Sequence, residues 1–288
     1  MISVVLPAYN EKGAVGATVA ELTAELTAAG LTPFEVLVVD DGSTDGTGAE
    51  AEAAGARLIT HPQNIGYGRS LKDGIRAAAH DTIVICDADG SYPAEEIPRL
   101  VAEHRRGIQM VVGVRRAVGH REGPFKAAMR LVLKWLVEFT AGRRIPDVNS
   151  GLRVFSRAEV LPYFPHLSDR FSFTTSQTLA YLLSHCSVAY RPISYRPRVG
   201  KSKVHLFRDS LRTLQFISQA ILIYNPIKLF LVLAAAPLPL ALLCAAAGAL
   251  TPWREGLGWA VGSLLTSLVL VGLGFLADVV RMSAQDRQ

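Results

Sequence analysis

The 288-residue chain is 50% hydrophobic with a mean hydropathy of +0.26. That is too apolar for a protein soluble throughout, and sized for one domain of about 200 residues plus an appendage. Its 30 Lys and Arg against 25 Asp and Glu leave a net charge of +5, which suits an anionic partner: a membrane surface, a nucleotide or a nucleic acid.

Met1–Leu6 is an apolar run of strand length closed by Pro7, not a signal peptide, so the N-terminal domain is expected in the cytosol. ISVVL (2–6) reads as a buried strand, and Gly13–Ala29, rich in Ala, Glu and Leu, as a helix stopped by Gly30. FEVLVV (34–39) is a second strand, followed by the loop DDGSTDGT and a helix over 45–54. ARLITH (56–61) is a third strand, 68–79 a helix, TIVIC (82–86) a fourth strand, Ala94–Arg106 a helix and IQMVVGV (108–114) a fifth strand. This alternation predicts a parallel α/β sheet with helices on both faces. Ligands of such sheets bind beyond the carboxyl ends of the strands, where YNE, DDGS and DADG follow strands one, two and four. Neither a GxGxxG fingerprint after strand one nor a Walker lysine loop is present, which argues against a dinucleotide-binding dehydrogenase and a P-loop enzyme. Cys86, Cys186 and Cys244 are scattered without metal-ligand spacing and read as reduced structural thiols in a cytosol-facing protein.

IVICDADG (83–90) is the stretch on which the chemistry turns. Asp87 and Asp89, with Ala88 between them, can face the same way where the strand runs out. Two carboxylates so placed repel unless a cation separates them. A hard divalent ion, Mg²⁺ or Mn²⁺, relieves that repulsion and brings affinity for phosphate oxygens.

In PFKAAMRLVLKWLVEFTA (124–141), Lys126, Arg130 and Lys134 recur every four residues as one basic stripe. Phe125, Leu131, Val132, Trp135, Leu136 and Phe139 cover much of the remainder. This pattern predicts a helix lying in a membrane interface; the alternative is an ordinary amphipathic helix on the domain. Residues 229–250 and 256–277 carry no charge. Each would span about 33 Å as a helix, enough for the hydrocarbon core. The short TPWRE loop between them makes a hairpin, with Pro237 and Pro239 kinking the first span and Trp253 and Trp259 at the far interface. Arg208, Arg212 and Lys228 before it, and Arg281 and Arg287 after it, place both ends on the cytoplasmic side. With no ionisable residue in mid-span, the hairpin reads as an anchor and not a transporter. The organisation expected is a catalytic domain over 1–205, an interfacial linker helix over 206–228 and the hairpin with a short tail over 229–288.

VVLPAYNE (4–11), VVDDGSTDGT (38–47), NIGYGRSLKDG (64–74), DADG (87–90), DVNSGLRVF (147–155) and YRPRVGKSK (195–203) occur in that order. Together they resemble the family-2 glycosyltransferases, and within them the polyprenyl-phosphate sugar synthases of the dolichyl-phosphate mannose synthase group. The resemblance covers about residues 2–225 and implies a GT-A fold, Rossmann-like with a mostly parallel sheet. It assigns Pro7, Tyr9 and Glu11 to holding the nucleotide. Asp40 and Asp41 would accept from a base N–H or a ribose hydroxyl, while STDGT has equally good turn and cap chemistry. Asp87 and Asp89 match the family's DxD: Asp89 as metal ligand, Asp87 on metal or ribose. Asp147 opens the DxxSGxR match and would lie near sugar and acceptor. Arg153 in the same match is a donor-site residue or one half of a structural ion pair under the loop. Arg115, after a strand, is a further phosphate candidate, with solvated surface charge as the alternative. Arg198 and Lys203 match RxxGxSK and would meet phosphates, Arg as a fork and Lys as a point charge. Arg196 and Lys201 fall outside the matched positions and read as surface.

The implied reaction moves a hexose from a GDP- or UDP-sugar to a polyprenyl phosphate at the membrane, by one in-line displacement with inversion. A lipid monophosphate is already anionic at neutral pH, so Asp147 need not act as a base. Two alternatives stand beside it: the same fold acting on a hydroxyl of a glycan or glycolipid, and a non-catalytic membrane scaffold. Nucleic acid is excluded as a partner by the dispersal of the basic residues beside apolar stripes. FSFTTSQTLA (171–180) carries Ser and Thr where mannose-type synthases often carry an acid. That leaves mannose, glucose and N-acetylglucosamine open, as are a monomer and a homo-oligomer.

Overall fold

The computed structural model describes residues 1–115, 124–197, 214–215, 217–219, 221–222, 225–250 and 255–285, with backbone only for 124–130, 132–133 and 284–285. The chain divides into two compact units, Met1–Phe216 and Ile217–Gln288.

The first unit is built on seven strands: β1 (Ile2–Ala8), β2 (Phe34–Asp40), β3 (Arg57–Thr60), β4 (Thr82–Ile85), β5 (Met110–Arg115), β6 (Arg153–Ser156) and β7 (Val188–Ile193). Their order in the sheet is β3-β2-β1-β4-β6-β5-β7. All neighbours are parallel except β6, which runs antiparallel to both β4 and β5. The sheet is therefore mixed and mostly parallel. The two strands beyond residue 115 were not foreseen from the sequence.

Helices cover both faces, as expected. The even-numbered side chains of β1 (Ile2, Val4, Leu6) pack with Val15, Val19, Leu22 and Leu26 of α1 (Val15–Ala28) and with Leu100 and Val101 of α4 (Ile97–His104). α2 (Thr47–Ala53) joins β2 to β3. On the opposite face lies α3 (Tyr67–Ala77), so close that a Cβ on Gly74 would stand 2.5 Å from a Val5 methyl and 2.9 Å from one of Val39. α5 (Pro124–Ala141) buries Val137 and Thr140 and leaves Leu131 and Trp135 exposed, with Lys134 3.9 Å from Glu138. α6 (Arg157–Val160) follows β6, and α7 (Phe173–Leu183) is buried over nearly its whole length.

Pro7 does not end the first strand, which continues to Ala8. The last β1–β4 pair is Val5↔Ile85, and Val5 O accepts from Cys86 N. Pro7, two residues on, points its missing N–H toward the same side, past the end of β4, where no ladder bond is lost.

The second unit carries α8 (Pro226–Ala235), α9 (Leu238–Leu250) and α10 (Gly256–Gln285). The regular helix is interrupted by a turn at Ala236–Pro237 between α8 and α9, where the prolines predicted a kink. Pro226–Leu250 and Gly256–Ser283 are each long and apolar enough to cross a membrane. Small residues face inward: Ala234, Ala241, Cys244, Ala260, Ser263 and Ser267 are buried. Gly274 lets Phe230 come so near that an added Cβ would be 2.8 Å from its Cβ. Leu242, Leu250 and Leu268 point outward. Small contacts inside with leucines outside is the packing that lipid-facing helices use.

Candidate active site

The parallel strands bring the ends of β1, β2, β4, β5 and β7 to one edge of the sheet. β6, being antiparallel, brings its beginning: Arg153 pairs with Ile85 of β4 and Val112 of β5. This is how DVNSGLR, far along the chain, reaches DADG.

The loops after β1 and β2 are laced together. Asn10 N donates to Ser43 Oγ (2.8 Å), Thr44 N to Asn10 Oδ1 (2.9 Å), Glu11 N to Thr47 Oγ1 (2.8 Å) and Gly13 N to Glu50 Oε2 (2.7 Å). Tyr9 and Glu11 are left half-buried at the rim. Asp40 and Asp41 are buried, and their oxygens organise loops. Asp40 Oδ1 accepts from Ser43 N (2.9 Å). Asp41 Oδ1 accepts from Ile65 N (2.9 Å) and meets His61 Nδ1 (2.9 Å), while Oδ2 accepts from Gly66 N (2.8 Å). Gly42 between these loops has φ +77°, and a Cβ there would lie 2.6 Å from the Gln63 backbone.

Asp89 is buried, and its Oδ1 accepts from Ser91 N at 3.1 Å. Asp87 is half-buried and accepts from Tyr67 Oη at 3.0 Å. Burial, reinforced by the charges of Asp87 and Asp89, pushes the Cys86 thiol up, so no thiolate competes with the carboxylates. Among the described residues no group of three or more His, Cys, Asp or Glu forms a metal site. Two hard carboxylates just beyond one strand end would nevertheless suit a hard divalent ion that completes its shell with oxygens from outside the chain. Mg²⁺ or Mn²⁺ fits Asp87 and Asp89 on that ground.

Arg115 and Asp147 are joined to each other. Arg115 Nε donates to Asp147 Oδ2 (2.8 Å) and Nη2 to Oδ1 (2.9 Å), a bidentate fork, with Arg115 N a longer third donor. Burial works to raise the Asp147 carboxyl, but the bonds and charge of Arg115 outweigh it and hold the group below the usual carboxylate range. Burial likewise opposes the Arg115 charge, and the bonds to Asp147 override it, keeping the guanidinium protonated.

Arg153 is fully buried beneath the 147–152 loop. Its guanidinium donates to Ser150 O (2.9 Å), Val148 O (2.7 Å), Thr178 Oγ1 (2.8 Å) and Gln177 Oε1 (3.4 Å). These partners are neutral oxygens, where the sequence suggested a nucleotide contact or an ion pair. The reason is the antiparallel strand, which turns Arg153 under its own loop. Arg196 lies at the surface, as expected, and is held there: its backbone N–H donates to Ser91 O (2.9 Å) and its guanidinium to Glu21 (2.9 and 3.0 Å). Arg198 and Lys203 lie outside the described residues, as do Arg116–Gly123.

Four residues at the site escaped sequence reasoning. Tyr92 Oη accepts from Gly151 N (2.7 Å), and its ring meets Tyr195 edge-on at 5.2 Å. Tyr195 in turn lies under the Arg115 guanidinium at 5.5 Å. Gly151 stands against Asp87: a Cβ there would be 2.9 Å from Oδ1. Tyr67 is the fourth. The signal for Tyr67 and Tyr92 was their position, inside NIGYG and three residues after Asp89.

Residues 3–194 match the family model described as Glycosyl transferase family 2. An uncharacterised glycosyltransferase of Mycobacterium tuberculosis is 32% identical over 205 residues, 70% of this chain and 89% of that protein. The undecaprenyl-phosphate 4-deoxy-4-formamido-L-arabinose transferase of Enterobacter sp. is 33% identical over 180 residues, 60% of this chain. This chain spans about half the length of that transferase, 53%. Among solved structures, glucosyl-3-phosphoglycerate synthase from Mycobacterium tuberculosis superposes with a TM-score of 0.63 at 23% identity, over 76% of this chain and 79% of that one. The same enzyme in complex with Mn²⁺, UDP-glucose and phosphoglyceric acid gives 0.62. At this identity the likeness concerns the fold, and that fold is GT-A.

Proposed function

The chain belongs to glycosyl transferase family 2 and is a glycosyltransferase, and from that premise we propose that it moves a hexose from a UDP- or GDP-sugar to a polyprenyl phosphate, with inversion, at the cytoplasmic face of a membrane. The relative that acts on undecaprenyl phosphate supports this acceptor, as do the two apolar helices of the second unit. The observation that carries it is the Arg115–Asp147 fork. A carboxylate with both oxygens engaged by a guanidinium, and held below its usual range, is a poor proton acceptor. A hydroxyl acceptor needs its proton removed, whereas a phosphate monoester, with a second pKa of about 6, arrives ionised.

Asp87 and Asp89 would hold Mg²⁺ or Mn²⁺, which when bound supplies positive charge to the diphosphate that leaves. The chain's own residues do the rest. Tyr9 and Glu11 take the nucleoside, seated by the loops that Asp40 and Asp41 hold in shape. Asp147 presents Arg115 at the site, and Arg198 and Lys203 add positive charge for phosphate. A phosphate oxygen of the lipid attacks the anomeric carbon as the bond to the diphosphate breaks, its electron pair going to the nucleotide. No proton has to move. α5, with Leu131 and Trp135 exposed beside Lys134, lies in the interface and brings the acceptor headgroup to the domain.

The test incubates membranes containing the protein with polyprenyl phosphate and a panel of labelled UDP- and GDP-sugars, with and without EDTA. Transfer to a lipid product that releases its sugar under conditions cleaving phosphodiester-linked sugar is expected. Transfer only to hydroxyl acceptors would overturn the reading, and full activity in EDTA would remove the metal from it.

A further inference from the structure

Asp87 leaves the end of β4 held from two sides. Tyr67 Oη donates to its Oδ1 at 3.0 Å. Gly151 closes the other side, since a Cβ there would lie 2.9 Å from Oδ1 and 3.0 Å from Oδ2. Tyr67 is itself fixed from outside the nucleotide loops. Its ring stacks on Phe171, centroids 5.6 Å apart and planes at 17°. The glycines flanking it press onto the 168–170 backbone: a Cβ on Gly68 would be 2.2 Å from Ser168 O, and one on Gly66 2.5 Å from Asp169 O. Arg69 N donates to Asp169 O (3.0 Å), and Lys72 Nζ to Leu167 O (2.6 Å) and Asp169 Oδ1 (2.6 Å).

We propose that Tyr67 is the positioning residue for Asp87: its hydroxyl sets which way the carboxylate presents its oxygens to the divalent ion, and the 167–171 loop, acting through the Tyr67–Phe171 stack, governs how tightly that ion is held. This rests on the metal part of the proposed function. A residue that hydrogen-bonds a metal ligand fixes the ligand's orientation and basicity, and its loss commonly weakens metal binding 10- to 100-fold. Tyr67 comes from a helix start and Phe171 from a loop about a hundred residues later, so a segment distant in sequence from DADG bears on the ion through the Tyr67–Phe171 stack.

The experiment titrates full-length protein in detergent with Mn²⁺, read by electron paramagnetic resonance, in the presence of UDP and, in parallel, of GDP. Tyr67→Phe keeps the ring and its stack and removes only the hydroxyl. It is expected to weaken Mn²⁺ binding about 10- to 100-fold with its melting temperature retained. Combined with Asp87→Asn it should weaken binding no further than Asp87→Asn alone, because the two act through one contact. Wild-type affinity in Tyr67→Phe, or an additive loss in the double variant, overturns the proposal. Should Tyr67→Phe not fold, Phe171→Leu keeps the hydroxyl and removes the stack; weakened Mn²⁺ binding is expected, and unchanged affinity overturns it. If wild type fails to bind Mn²⁺ both with UDP and with GDP, the metal reading falls and takes this inference with it. If Mn²⁺ binds but no lipid phosphate accepts sugar, the acceptor reading alone falls.

Discussion

At the scale of single residues, Asp147 shows how pairing decides chemistry. Its folded carboxyl lies below the value of an unpaired one, so the pair's stabilisation is complete above the unfolded value of about 3.9 and is lost only as pH falls further. Between about pH 5 and 8 the fork stays intact. An acid limb in kcat/KM over that range then belongs to the acceptor phosphate, near pH 6. Asp147→Asn, which leaves Arg115 with a neutral partner, should lower the rate about tenfold or more, the worth of a charged hydrogen bond, while that limb stays in place. A limb that vanished with the substitution would make Asp147 the base after all. Arg153 teaches a different lesson. DxxSGxR was legible as a motif, but whether its arginine faces ligand or core depends on a strand direction that no local pattern encodes. Arg153→Met strands the carbonyls of Val148 and Ser150 in the interior and should cost roughly 2–4 kcal/mol in chemical denaturation.

Elements tell how the site is assembled. The first half of the sheet was readable because each strand is a short apolar run bounded by Gly, Pro or acidic loops, and each helix has its own composition. β6, of four residues, was not, because RVFS has no alternation that sets it apart and its pairing is with strands distant in sequence. α7 was opaque for a related reason: Thr174, Thr175, Ser176, Gln177 and Thr178 are all buried, so their polarity concealed a helix of the interior. The donor loops depend on close backbone approach. Gly42→Ala would meet both a left-handed φ of +77° and the Gln63 backbone at 2.6 Å. It is expected to cost at least about 1–2 kcal/mol in a melting experiment and to weaken UDP or GDP binding in a titration. Stability and binding both at wild-type levels would refute the role given to this turn.

For the whole molecule, the hairpin was the most legible part, since long uncharged runs and two prolines announce themselves. Its extent grew in the structure, to Pro226–Leu250 and Gly256–Ser283, because Pro226 starts the first helix and Asp278 pairs with Arg281 one turn on (2.9 Å), so the second runs past the uncharged stretch. A chain ending at residue 225 is expected to leave membranes in alkaline carbonate, while the full chain stays in the pellet; immunoblots of the two fractions decide it. The antiparallel strand carries a consequence for biosynthesis. Thr82–Ile85 gains its second neighbour only when Arg153–Ser156 arrives. Until then a nascent chain bearing β1 to β4 shows an open sheet edge, the template on which wrong pairings form. The carboxylates of DADG are synthesised early and become a site late, once β6 has closed that edge.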